Sequence, residues 1–238
     1  MARNASERLI VALDYDRLQP AYQMASRLAG LAGMFKIGKQ LFTAEGPRAV
    51  EKLAGLGAGI FLDLKFHDIP NTVAGAVRAA AELPGVRLIN VHTLGGTDMM
   101  RAAAQAVTGK RKRPSIVGVT VLTSLDEAAM ARVGILGPLL KRVLRLARLA
   151  KQAGLDGVVA SPLEVAEIRR VCPGKFQIVV PGIRPESAKK NDQSRISTPK
   201  EAISAGADYL VVGRPITAAK DPRAAAKAIL EEISAALA

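Results

Sequence analysis

Tryptophan is absent from this chain, cysteine occurs once, and aromatic residues fill only 3% of its 238 positions. The lone Cys172 excludes an internal disulfide and leaves no thiolate cluster for zinc or iron–sulfur ligation. A chain without disulfides is expected in the cytoplasm. The few aromatics do not interleave with the basic runs, which argues against a stacking platform for single-stranded nucleic acid. No uninterrupted apolar stretch approaches the roughly 18 residues of a membrane span. The polar start from Met1 to Arg8, followed by a short apolar run, does not read as a signal peptide. Several chemical motifs are missing as well. There is no Gly-x-Ser-x-Gly elbow and no His-Glu-x-x-His, and Ala104 stands where a phosphate loop ending in Gly109-Lys110 needs glycine.

Acidic residues are also scarce: 21 Asp and Glu stand against 34 Lys and Arg, for a formal net charge of +13. Such a balance suits nucleic acid, an anionic small molecule or a solvated basic surface. Much of the excess lies in Lys110-Arg111-Lys112-Arg113 and between Leu139 and Lys151. In the latter, Lys141, Arg145 and Arg148 share one helical face, opposite Leu140, Val143, Leu144 and Ala147, so an amphipathic helix with a basic outer face is predicted. That leaves an anionic small molecule or a merely solvated basic surface, with no nucleic acid and no membrane expected.

What is present is a repeating order. Apolar runs at Arg8–Leu13, Met34–Ile37, Ile60–Leu64, Leu88–Val91, Ser115–Val121, Gly157–Val159, Gln177–Val180 and Tyr209–Val212 read as strands. Helical patterns separate them: Leu18–Leu31, a stretch reaching Leu56, Val73–Leu83, Thr97–Val107 and the basic helix, then helices starting near Pro162, Glu186 or Pro199, and Pro215. Alternation of this kind implies parallel pairing through right-handed crossovers. Eight units predict an α/β fold of the (β/α)8 barrel type, one domain over residues 1–238, with an open doubly wound sheet as the alternative. No Pro- or Ser-rich linker marks a second domain.

On a barrel, active sites form at the C-terminal strand ends. Asp14, Lys36, Asp63, Lys65, Asp68 and Thr123 all fall at or just past such ends. Asp63 and Lys65 are two apart, so along a strand they point the same way with opposite charge. In isolation they read equally as a structural ion pair at a strand terminus, and Asp14 or Thr123 as a helix cap. Independent structural charges, however, have no reason to collect on one rim. A second group closes the barrel: Val179 to Pro185 with Arg184, and Leu210 to Thr217 with Gly213-Arg214-Pro215. Loops after strands seven and eight often bind phosphate in this fold, where glycine admits backbone N–H groups and arginine binds oxygens bidentately. The polar stretch Lys189 to Thr198 between them reads as a lid.

Those segments resemble the orotidine 5′-phosphate decarboxylase family over nearly the whole chain. The matching stretches are Ile10 to Asp14, Phe35-Lys36-Ile37-Gly38, the specific decapeptide Asp63 to Thr72, Val180 to Arg184, Asp192-Gln193 and Val212 to Thr217. The basic run Lys110 to Arg113 has no counterpart in that pattern. The resemblance implies cofactor-free decarboxylation of orotidine 5′-phosphate to uridine 5′-phosphate (UMP), without a metal. Carried over by position, Lys65 would protonate C6, Asp63 would face the departing carboxylate, and Lys36 with Asp68 would complete a charge network. Asp14 and Lys36 would hold the ribose, Thr123 and Gln193 the pyrimidine and lid, and Arg184, Gly213 and Arg214 the phosphate. The family is homodimeric, and Asp68, Ile69 and Thr72 would enter the partner's site. The nearer alternative is a magnesium-dependent phosphosugar enzyme sharing the Asp-x-Lys-x-x-Asp strand end; the farther one is a nucleic-acid-binding protein.

Overall fold

In the computed structural model, which describes residues 4–109, 112–185 and 197–238, eight parallel strands follow chain order around a closed barrel. A first turn of helix, α1 (Ala5–Arg8), leads into β1 (Leu9–Ala12) and α2 (Leu18–Arg27). Next come β2 (Met34–Gly38), α3 (Lys39–Glu45), α4 (Pro47–Ala54), β3 (Gly59–Phe66), α5 (Pro70–Ala81), β4 (Val86–His92), α6 (Gly96–Gln105) and β5 (Ser115–Val119). Two helices follow, α7 (Glu127–Arg132) and α8 (Leu139–Gln152), before β6 (Gly157–Val159), α9 (Val165–Val171) and β7 (Gln177–Val180). The chain ends with α10 (Pro199–Ser204), β8 (Tyr209–Val212), α11 (Arg214–Thr217) and α12 (Pro222–Leu237). β8 pairs back onto β1, Leu9 with Leu210 through Val11 with Val212, which closes the cylinder.

All eight expected strands are present, and the differences lie at element ends and in the helices. Arg8 ends a helix instead of starting a strand, because the Asn4 side chain accepts from the Glu7 N–H while Glu7 accepts from the Asn4 N–H, a capping box that fixes the turn. The single helix expected up to Leu56 is split at Gly46, whose φ of 62° precedes Pro47. The short helix α7 and the long α12, capped by Asp221, belong to no apolar stripe that the sequence pattern had marked. In α8 the buried stripe is Leu139, Val143, Ala147 and Ala150. Leu140, expected on that face, is 41% exposed. The stripe is rotated by a residue, since Leu139 packs at the helix start. Among the described residues no helix is long and apolar enough to cross a membrane.

Two cores hold the barrel. Outside the sheet, residues such as Leu9, Val11, Phe35, Ile37, Ile60 and Leu62 pack against the helices. Inside it, Ile10, Ala12, Met34, Phe61, Leu88, Val117, Val179, Tyr209 and Val211 fill the cylinder. The period of two explains both sets, and it also predicts what lies one layer higher. Two residues beyond Met34, Phe61 and Leu88 come Lys36, Asp63 and Asn90, each buried and polar. The apolar plug therefore ends where the site begins. Part of the basic surface is structural: Arg113 forms a bidentate pair with Asp156 at 2.7 and 2.6 Å, and Asp156 also accepts the Ile116 N–H. That pair raises the Arg113 pKa above its ordinary value through the Asp156 hydrogen bond.

Candidate active site

At the C-terminal mouth, four side chains from three strand ends form a row of alternating charge. Lys36 Nζ lies 2.7 Å from Asp14 Oδ1 and 3.4 Å from Asp63 Oδ2. Lys65 Nζ lies 2.5 Å from Asp63 Oδ1. Lys36 and Asp63 are buried, whereas the Lys65 and Asp14 side chains reach toward solvent, 27% and 56% exposed. Buried charges of this kind persist only when paired, and here each interior charge touches an opposite one.

Simple strand alternation does not account for Lys65. Its φ is 51°, and among the described residues it is the one non-glycine in that left-handed region. The β3–β4 ladder breaks there, running Leu62↔Ile89 and then Phe66↔Val91. A bulge at the rim of a barrel re-aims a side chain. Asn90 fills the break: its Oδ1 accepts the Lys65 N–H at 2.8 Å, and its Nδ2 donates to Asp63 Oδ1 at 2.6 Å. Sequence reasoning passed over Asn90. The available signal was a single polar residue inside the apolar run Leu88-Ile89-Asn90-Val91.

A cleft runs across this row in two halves. One half is walled by Phe61, Val119, Val121, Val159 and Pro181, with Lys36, Asp63, Lys65 and Thr123 on its polar side. The other is lined by Asp14, Lys36, Pro181, Gly182, Arg184, Gly213 and Arg214. Lys36, Pro181 and Val211 border both, so the halves adjoin. An apolar slot flanked by charge thus opens onto an arginine- and glycine-lined rim. The two constellations expected from the sequence are brought together, and Asp14, Lys36, Asp63, Lys65, Thr123, Arg184, Gly213 and Arg214 all line the cleft. Gln193 and most of the expected lid lie outside the described residues, as do Lys110 and Arg111.

Asp68, Ile69 and Thr72 do not join them. They sit exposed where β3 leads into α5, and Asp68 Oδ1 accepts the Ile69 N–H at 2.6 Å. Within one chain the charge row runs Asp14–Lys36–Asp63–Lys65 and stops. Beside it, the His67 and His92 rings lie 5.4 Å apart at 39°. Burial, then the nearby His67, Lys39 and Lys65, lowers the His92 pKa to about 4, so this ring is neutral at pH 7. Among the described residues no group of three or more His, Cys, Asp or Glu side chains is placed to hold a metal ion.

Comparison with known proteins agrees on one family. The model of the orotidine 5′-phosphate decarboxylase / HUMPS family matches residues 7–229. An orotidine 5′-phosphate decarboxylase from Syntrophotalea carbinolica is 54% identical, with 100% of this chain and 99% of the relative covered. One from Halorhodospira halophila is also 54% identical, covering 96% of this chain and 97% of its own. Among solved structures, orotidine 5′-phosphate decarboxylase from Lactobacillus acidophilus superposes with a TM-score of 0.83 at 39% identity, covering 94% of this chain and 98% of that one. The enzyme from Pyrococcus horikoshii gives 0.76 at 28% identity, with the same two shares, 94% and 98%.

Proposed function

This chain belongs to the orotidine 5′-phosphate decarboxylase / HUMPS family and is a carboxy-lyase of pyrimidine biosynthesis, and on that premise we propose that Lys65 protonates C6 of orotidine 5′-phosphate as carbon dioxide leaves. The observation that carries this reading is the Lys65 ammonium held 2.5 Å from Asp63 at the edge of an apolar slot. The pyrimidine occupies that slot, the ribose lies over Asp14 and Lys36, and the phosphate reaches Arg184, Gly213 and Arg214. Thr123 and Gln193 meet the ring. The C6–carboxylate bond breaks, its electron pair stays on C6, and Lys65 delivers a proton there and becomes a neutral amine until solvent reprotonates it. Little resonance relieves that carbanion, so a fixed cation beside it is worth most in the transition state. Asp63, facing the carboxylate of the bound substrate, sets like charges together, and departure of carbon dioxide relieves them.

The site works without metal or organic cofactor, in a cytoplasmic homodimer of single-domain subunits in which Asp68, Ile69 and Thr72 complete the partner's site. The direct test follows the loss of orotidine 5′-phosphate absorbance by the enzyme in excess chelator. Full turnover is expected. Activity that vanishes with chelator and returns with magnesium would assign the chain to the metal-dependent phosphosugar reading instead.

Two further outcomes follow from the cleft. Arg214→Ala should lower kcat/KM for the nucleotide by about 10- to 100-fold, the worth of one or two charge-assisted hydrogen bonds. The nucleoside orotidine should lose far less, because only the phosphate uses that grip to drive closure over the ring. Equal losses on both substrates would make Arg214 structural. Gly38 is the second case. A Cβ there would stand 3.0 Å from Lys36 Nζ and 3.5 Å from Asp14 Oδ1. Gly38→Ala should therefore shift the Lys36 ammonium by a few tenths of an ångström against its two carboxylates and cost up to about 10-fold in kcat/KM, less than a full ångström of misplacement would. Unchanged kinetics would mean that Lys36 can shift without consequence.

A further inference from the structure

We propose that Asn90 is the positioning residue of this site: its buried amide holds both the backbone of Lys65 and the carboxylate of Asp63, and so aims the proton donor without touching substrate. The inference rests on the reading of Lys65 as that donor. Between Leu62↔Ile89 and Phe66↔Val91, three residues of β3, at 63, 64 and 65, face a single residue of β4, Asn90. Such a break removes ladder partners from backbone groups that still need them. Asn90 supplies the substitute. Its Oδ1 takes the Lys65 N–H inside the register break, while its Nδ2 donates to Asp63 Oδ1, the same oxygen that Lys65 Nζ approaches.

The chemistry of the side chain is specific to the task. Asn90 is fully buried, so water cannot replace it. A leucine would fill the volume but leave an N–H unpaired and the Asp63 oxygen with one donor fewer. A carboxylate could accept from Lys65 yet would face Asp63 with like charge. A neutral amide of this length offers one acceptor and one donor in the required directions. The left-handed φ of Lys65 gives the contact its consequence. A residue with a Cβ is held there only by its surroundings, and its own N–H donates to Asn90 Oδ1.

Two variants test this. Asn90→Ala should reduce kcat by about 100-fold or more, while affinity for UMP changes by less than about threefold and the circular dichroism spectrum stays that of the folded enzyme. Asn90→Asp keeps the acceptor for Lys65 but regains a donor toward Asp63 only when the introduced carboxyl carries a proton. That carboxyl faces Asp63 and Lys65 on β3 and Lys36 on β2, with His92 farther along its own strand. Its turnover should therefore be best at the acid end of the range and fall as pH rises, a trend the parent enzyme should lack. A purely structural residue would lower stability without this pH dependence. Parent-like kcat in Asn90→Ala, equal losses of kcat and UMP affinity, or an Asn90→Asp profile parallel to the parent's would each overturn the proposal. Should Asn90→Ala not fold, the Asn90→Asp profile decides alone. If Lys65→Ala retains activity, the donor reading has failed; if Lys65→Ala is inactive and Asn90→Ala is not impaired, only the role of Asn90 has.

Discussion

Lys65→Ala should abolish decarboxylation, lowering kcat by about 10⁴-fold or more, the combined worth of a positioned general acid and a preorganised cation. UMP should bind almost as before, because the product carries neither the departing carboxylate nor the developing carbanion that the ammonium answers. The structure also says why the variant should fold. Asp63 keeps the Asn90 amide at 2.6 Å and the Lys36 ammonium at 3.4 Å, so no buried carboxylate is left without a partner. Alanine at position 65 meets the same left-handed backbone cost that lysine already carries, so that term cancels. Single-turnover kinetics beside calorimetric UMP titration separate the two effects. A loss confined to KM would show that Lys65 binds substrate and does not act on the transition state. Asp63→Asn should also slow turnover, through less stress on the substrate carboxylate and a looser Lys65, but it should leave residual activity where Lys65→Ala leaves none.

How much of this was legible beforehand depends on whether the controlling interaction is local. Lys36 and Asp63 could be placed because each sits two residues beyond an interior strand position, and the period of two needs no tertiary knowledge. Gly213 and Arg214 were legible as rim residues because a glycine followed by Arg-Pro at a strand end marks both a turn and a helix start. Asn90 was not, since its role comes from the pairing of β3 with β4 across a register shift, and nothing within either strand encodes that shift. The alternation argument for Asp63 and Lys65 reached the right neighbours through a regular strand, whereas the chain reaches them through a bulge. Leu140 shows the same limit in a helix. A stripe read from one segment can be off by one residue when its packing partners lie elsewhere. The helix break at Gly46 is the opposite case, a local signal readable from Gly46-Pro47 that a continuous helical pattern masked.

The second large effect concerns residues that the single chain leaves outside its own cleft. A Lys65→Ala chain and an Asp68→Ala chain should each be nearly inactive alone and should recover activity when mixed. Asp68 is exposed, and among the described residues its carboxylate accepts the N–H of the next residue. Its neighbourhood is apolar and uncovered: Ile69 is 66% exposed, and Leu94 on the adjoining loop is 45% exposed. The His67–His92 contact ties those two loops into one surface. Apolar groups gathered beside an exposed carboxylate at the mouth of a barrel suit burial against a second copy. Under two-fold symmetry such a contact sends Asp68 of each chain toward the site of the other. In a mixed dimer one site then carries both lesions and the other neither. With random exchange half the dimers are mixed, each with one intact site of two, so activity should approach about a quarter of the parent's. Native mass spectrometry verifies the heterodimer, and turnover is read after re-equilibration. If heterodimers form and activity stays at the level of the separate variants, Asp68 works within its own chain and the site is not shared.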